Sequence, residues 1–105
     1  MIEQLAWLKG MTLSTLAQGK KFEVLDVDES KILIAPQSTK YERSIRKVRL
    51  EWAWDELKRK RELTQQEVFD DGSVNSAYVV ALLAKMPGVT YKTKPVRLFY
   101  KAPEG

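Results

Sequence analysis

Neither cysteine nor histidine occurs in the 105 residues. Without cysteine there is no disulfide, no thiolate nucleophile and no thiolate zinc site. Without histidine the commonest general base and metal ligand is missing as well, so most hydrolytic and zinc chemistry is disfavoured. The five glycines are scattered at positions 10, 19, 72, 88 and 105, and no glycine-rich phosphate loop is spelled. No apolar run approaches the length needed to cross a bilayer, and the opening MIEQLAWLKG carries a glutamate where a secretory leader has basic residues. The expectation is an unexported, cytoplasmic, non-catalytic protein with no membrane span, small-molecule substrate, metal or cofactor.

What is present suits one domain over residues 1–105: 44% of the chain is apolar and 10% aromatic, enough for a modest core. The net charge of +4 is compatible with an anionic partner without demanding one. Its placement is more informative than its sum. Residues 1–40 are neutral, 41–63 carry +3, 64–88 carry −2 and 89–105 carry +3. The basic excess therefore flanks the middle of the chain.

That middle, LTQQEVFDDGSVNSAYVVALLAKMPGV, is the best-marked stretch. Thr64 and Glu67 form the T-x-x-E pattern in which hydroxyl and carboxylate each satisfy an orphan backbone donor at a helix start. Asp70, Asp71 and Gly72 supply turn chemistry, Ser73 or Asn75 can cap a further helix, and Pro87 with Gly88 ends it. Upstream, residues 48–62 have helical period, with Leu50, Ala53, Trp54 and Leu57 in one arc. Asp55 with Arg59 and Glu56 with Lys60 sit four apart on that helix, and its last turn is cationic.

Residues 2–9 make a short helix stopped by Gly10, which covers an edge or a core opening. The β-branched runs 22–27 and 31–35, separated by Asp28, Glu29 and Ser30, spell a hairpin closed by Pro36. Residues 41–47 read equally as a third strand or a helix start. Residues 89–92 and 96–100 form a terminal hairpin. The fold class expected is α+β: a short N-terminal helix and β-hairpin or small sheet over 1–47, then a three-helix unit with a C-terminal β-hairpin over 48–101.

The order of those last elements resembles a winged helix-turn-helix domain, on LTQQEV for the second helix, VNSAYVVALLAKM for the third and VTYKTKPVRLFYK for the wing. The resemblance covers residues 48–101 and is one of pattern. It implies a nucleic-acid partner, DNA ahead of RNA, with the third helix reading bases through Ser73, Asn75, Ser76 and Lys85 and the wing touching phosphate. One departure is visible: the third helix has no arginine or glutamine for a bidentate base contact.

Read from the residues themselves, Lys92, Lys94 and Arg97 on the terminal hairpin, interleaved with Tyr91, Phe99 and Tyr100, suit phosphate contact. They equally suit a solvated strand edge. Arg43, Arg46, Lys47 and Arg49 form a second basic group, balanced in part by Glu42 and Glu51. The other function class open to this chain is a protein-interaction module, a homodimer or an accessory subunit of a nucleic-acid-processing assembly. Its anchors are Trp52, which lies off the buried arc, and a small-residue face comprising Ala77, Ala81 and Ala84. Intramolecular packing of Trp52 against the N-terminal hairpin or Trp7 is the plainer alternative. Asp26, Asp28, Glu29 and Lys31 contain D-x-D and E-x-K patterns found in metal nucleases, but they crowd into one turn instead of converging from separate strands.

Overall fold

The computed structural model describes residues 3–39, 41–70 and 75–102. The chain opens with a 3-10 helix, Glu3–Leu8, whose Leu5 and Leu8 are fully buried, and turns at Gly10 with φ +86°. Three strands follow, β1 (Thr12–Ser14), β2 (Lys21–Val27) and β3 (Lys31–Pro36). The next strand, β4 (Arg43–Arg46), decides the open reading of residues 41–47 in favour of extended chain. All four pair antiparallel in the order β1-β2-β3-β4, with a bulge between Val24 and Asp26. Alternation puts Phe22, Val24, Ile32, Ile34 and Ile45 on the buried face, as period-2 side chains require.

Helix α1 (Lys47–Lys60) starts directly from β4 and buries Leu50, Ala53, Trp54 and Leu57, the arc expected from its period. It ends because Arg61 takes a left-handed conformation, φ 68°, which reverses the chain. Of the helix ion pairs, the spacing of four is replaced by three: Lys58 pairs with Asp55 at 3.8 Å and Arg59 with Glu56 at 2.6 Å. Lys60 is thereby released from its helix and reaches forward to Glu67.

After α1 the expected layout fails. Instead of a second helix, Glu62–Thr64 form strand β5; only then come α2 (Gln65–Asp70) and α3 (Ser76–Leu83), followed by β6 (Val89–Lys92) and β7 (Arg97–Tyr100). The terminal hairpin is part of a three-stranded antiparallel sheet in the order β5-β7-β6. The reading of an N-terminal helix and hairpin followed by a three-helix winged-helix-like unit and then a hairpin is therefore corrected to two sheets, of four and three strands, with the helices set between strands. The cause is long-range. Leu63 lies opposite Leu98, both fully buried, and that pairing draws three residues without any period of their own into extended chain.

The capping box is present as spelled. Thr64 Oγ1 accepts from Glu67 N–H, and Glu67 Oε1 accepts from Thr64 N–H, both at 3.1 Å. Six of the eight residues of α3 are buried, Ser76, Val79, Val80, Ala81, Leu82 and Leu83, so this helix is core on nearly every side. The second sheet is tied to α1 through an edge-to-face contact of Trp54 and Tyr100, ring centroids 5.4 Å apart.

Two substitutions test these assignments. Thr64→Ala removes the cap acceptor and is expected to lower stability by about 1 kcal/mol in urea unfolding, with the slope of the transition unchanged. Gly88 has φ +80°, and a Cβ there would stand 2.4 Å from the Lys101 carbonyl oxygen, so Gly88→Ala is expected to destabilise by more than about 1 kcal/mol in the same measurement.

Candidate nucleic-acid interface

The residues singled out by sequence lie on three parts of the surface. The first centres on the start of α3. Asn75 occupies its N-cap position, yet the side chain makes no capping bond; Nδ2 donates across to the Ser44 carbonyl of β4 at 3.5 Å. Next to it, Ser76 is buried and borders a groove of about 520 Å³ with Gln65, Phe69, Pro95 and Val96. The groove is closed on the side of the β6–β7 turn by Gln65 N–H donating to the Val96 carbonyl at 3.2 Å. The start of α3 thus joins β4 on one side to the β6–β7 turn on the other. Lys94 precedes Pro95 in the chain and Arg43 precedes Ser44, and both are exposed.

Arg43 is held in place. Its guanidinium carbon lies 5.8 Å from the Tyr78 ring centroid, and Tyr78 makes an edge contact with buried Phe22 at 5.1 Å. Cross-strand pairing sets Arg46 opposite Lys31, two exposed cations side by side on the outer face of the first sheet. In the sequence Lys31 stood out only as part of the E-x-K pattern; the strand register brings it to Arg46. Lys47 opens α1, half-buried, with its N–H bonded to the Ser30 carbonyl at 2.8 Å.

On the second sheet Lys92 lies opposite Arg97. Arg97 is engaged by Glu62, Nη1 to Oε1 at 2.8 Å, and its Nε is buried without a hydrogen-bond partner among the described residues. It is thus the least available cation of the group. Lys92 and Lys94 are exposed.

The third part is a separate cleft of about 300 Å³ on the other side of α2, lined by Trp52, Glu56, Leu63, Glu67 and Asp70. Arg49 leans over Trp52 there, 5.7 Å from the ring centroid, away from the start of α3. Trp52 is half-buried against β5 and α2, and Trp7, half exposed, is not its cover. Glu67 is bonded by the Lys60 ammonium and by the Thr64 N–H, which hold its carboxyl below the usual glutamate range against the opposing effect of partial burial.

Among the alanines, Ala81 is buried and Ala84 half-buried, both beside residues 12–16 of the same chain; Ala77 is half-buried. Ser73 lies outside the described residues. Lys85 is exposed at the far end of α3, remote in sequence from its first turn.

The acidic turn is a local structure. Asp28 Oδ1 accepts from the N–H groups of Ser30 at 2.7 Å and Lys31 at 2.8 Å, which lower its pKa. Asp26 accepts from Val27 N–H and faces Lys9 at 3.4 Å. Among the described residues no group of three acidic, histidine or cysteine side chains is placed to hold a metal, and no helix is long and apolar enough to cross a membrane. Comparison of the chain with known protein families, with curated proteins and with solved structures finds no match in any of the three.

The Glu67 contacts give a pH dependence of known sign. A carboxyl whose folded pKa is depressed stabilises above its unfolded value, and that contribution is lost as pH falls through the folded value. Glu67→Gln is expected to lose less stability than the parent between about pH 5 and pH 3, read by urea unfolding at each pH.

Proposed function

We propose that this chain binds the sugar-phosphate backbone of a nucleic acid, DNA ahead of RNA, along the band from β4 past the start of α3 to the β6–β7 turn. What supports this reading is the surroundings of the start of α3: Asn75 bonds to Ser44, the residue after Arg43, and Ser76 lines one groove with Pro95, the residue after Lys94. Cations brought together from distant parts of a chain suit a polyanion, whose phosphates repeat along a line. The positive end of the α3 dipole faces the same band.

Base reading by α3 is not part of this proposal. Ser76 and Ala81 are buried and the Asn75 amide is directed at Ser44, so contact with the backbone is the mode that remains, and binding is independent of sequence. Arg43, Lys92 and Lys94 carry the contacts; Arg46 is turned to the outer face of the first sheet beside Lys31, Lys47 and Arg49 contribute less, being half-buried, and Arg97 is occupied by Glu62. The chain acts without catalysis and in the cytoplasm, a reducing compartment to which a cysteine-free sequence is suited.

Fluorescence anisotropy with a mixed-sequence duplex tests this. With three phosphate contacts, the slope of log affinity against log salt is expected at roughly −3, a loss of about fortyfold between about 50 and 200 mM. Arg43→Gln with Lys94→Gln is expected to reduce the slope by about 2 for every duplex sequence alike. An affinity that ignores salt, or the absence of binding at the lower salt, overturns the proposal.

A further inference from the structure

The two sheets leave four edge strands, β1 and β4 in the first and β5 and β6 in the second. Three of them carry charged side chains that discourage a further strand: Arg43 and Arg46 on β4, Glu62 on β5 and Lys92 on β6. β1, Thr-Leu-Ser, carries none.

The hydrogen bonds around β1 show which backbone groups it leaves free. Val24 N–H donates to the Met11 carbonyl and Thr15 N–H to the Lys20 carbonyl, both at 2.9 Å. In an antiparallel pair the bonded positions alternate, so Leu13 bonds to Phe22 while the N–H and C=O of Thr12 and Ser14 point away from β2. Among the described residues these groups have no hydrogen-bond partner. On β6 the same logic applies: Lys101 N–H donates to the Gly88 carbonyl at 2.9 Å, so the Tyr91 backbone faces outward.

Both edges border one cleft of about 200 Å³. Thr12, Ser14 and Leu16 form one wall, Tyr91 the other, and Ala81 with Ala84 of α3 lie between them. Alanine at both positions leaves room for a side chain from outside. Met11 and Tyr91, 36% and 51% exposed, offer apolar surface beside it. Lys85 is the one charged residue lining the cleft, with no acidic partner among the described residues.

We propose that β1 accepts an extended segment of another protein as a fifth strand of the first sheet, an acidic side chain of that segment meeting Lys85. Backbone pairing at Thr12 and Ser14 supplies the attachment, and the alanine-floored cleft with its lysine supplies the selectivity. A second copy of this chain is disfavoured as the occupant, since it would bring another Lys85 and no acid to meet it. None of these residues belongs to the basic band, so this site stands or falls separately from nucleic-acid binding.

The test is an amide-resolved NMR titration with a synthetic peptide of about eight residues, alternating threonine and valine around a central glutamate, and its counterpart with lysine in that place. Shifts and slowed exchange are expected at Thr12, Ser14 and Tyr91, with the lysine peptide at least about tenfold weaker. Lys85→Glu is expected to reverse that preference. Ser14→Pro removes an outward N–H without touching the Leu13–Phe22 pair, which the same spectra monitor, and is expected to abolish binding. No shifts at peptide concentrations on the order of 1 mM, shifts centred elsewhere, or undiminished binding by the proline variant overturn the proposal. So does a dimer in light scattering that Ser14→Pro dissolves, since the edge would then belong to a second copy.

Discussion

The burial of α3 is the constraint on which the rest of this structure depends. An eight-residue helix that is apolar on nearly all sides has no solvent face, so each of its neighbours has to cover part of it. Tyr78 meets Phe22 of the first sheet, Ala81 and Ala84 lie beside residues 12–16, and α1 and α2 pack against the remaining sides. The N-terminal strands consequently supply part of the core, continuous with the side chains of α1 and the second sheet. Burying a large aliphatic side chain stabilises by about 1.5–3 kcal/mol, so covering Leu82 and Leu83 favours closure of the fold around the helix.

The same closure sets where charge is found. Among the described residues, Arg43 lies over Tyr78 in the first half of α3 and Lys85 is exposed just past its end. Arg43 reaches that position by stacking on Tyr78, which in turn rests on Phe22. At the opposite flank Lys60, Thr64 and Glu67 form a closed set that joins the end of α1 to the start of α2. Those charges hold the helices in place and leave little for a ligand.

Several local features were legible in the sequence because they rest on residues three to four apart. The Thr64–Glu67 box, the arc of Leu50, Ala53, Trp54 and Leu57, and the β2–β3 and β6–β7 hairpins are all written in their own segments. β5 was not, since Glu62, Leu63 and Thr64 are extended only because Leu63 meets Leu98. β1 was equally hidden, its three residues being a strand through their pairing with β2. Of the candidate site, the basic residues were identifiable by type, but not that Glu62 occupies Arg97, that Arg49 leans toward Trp52, or that Lys31 joins Arg46.

By itself, then, the sequence determined the chemistry on hand and the short-range elements. It holds cations without histidine or cysteine, two well-marked helix starts and two β-branched hairpins. Propensity, capping and period are properties of neighbouring residues, which is why they can be read without a fold. Only the tertiary structure decided that the most apolar helix would be roofed by the N-terminal sheet, that the Asn75 side chain at its start would reach Ser44, and that β1 would be left as the uncharged edge. Those outcomes depend on which distant surfaces bury the most apolar area together, and no window of adjacent residues contains that information.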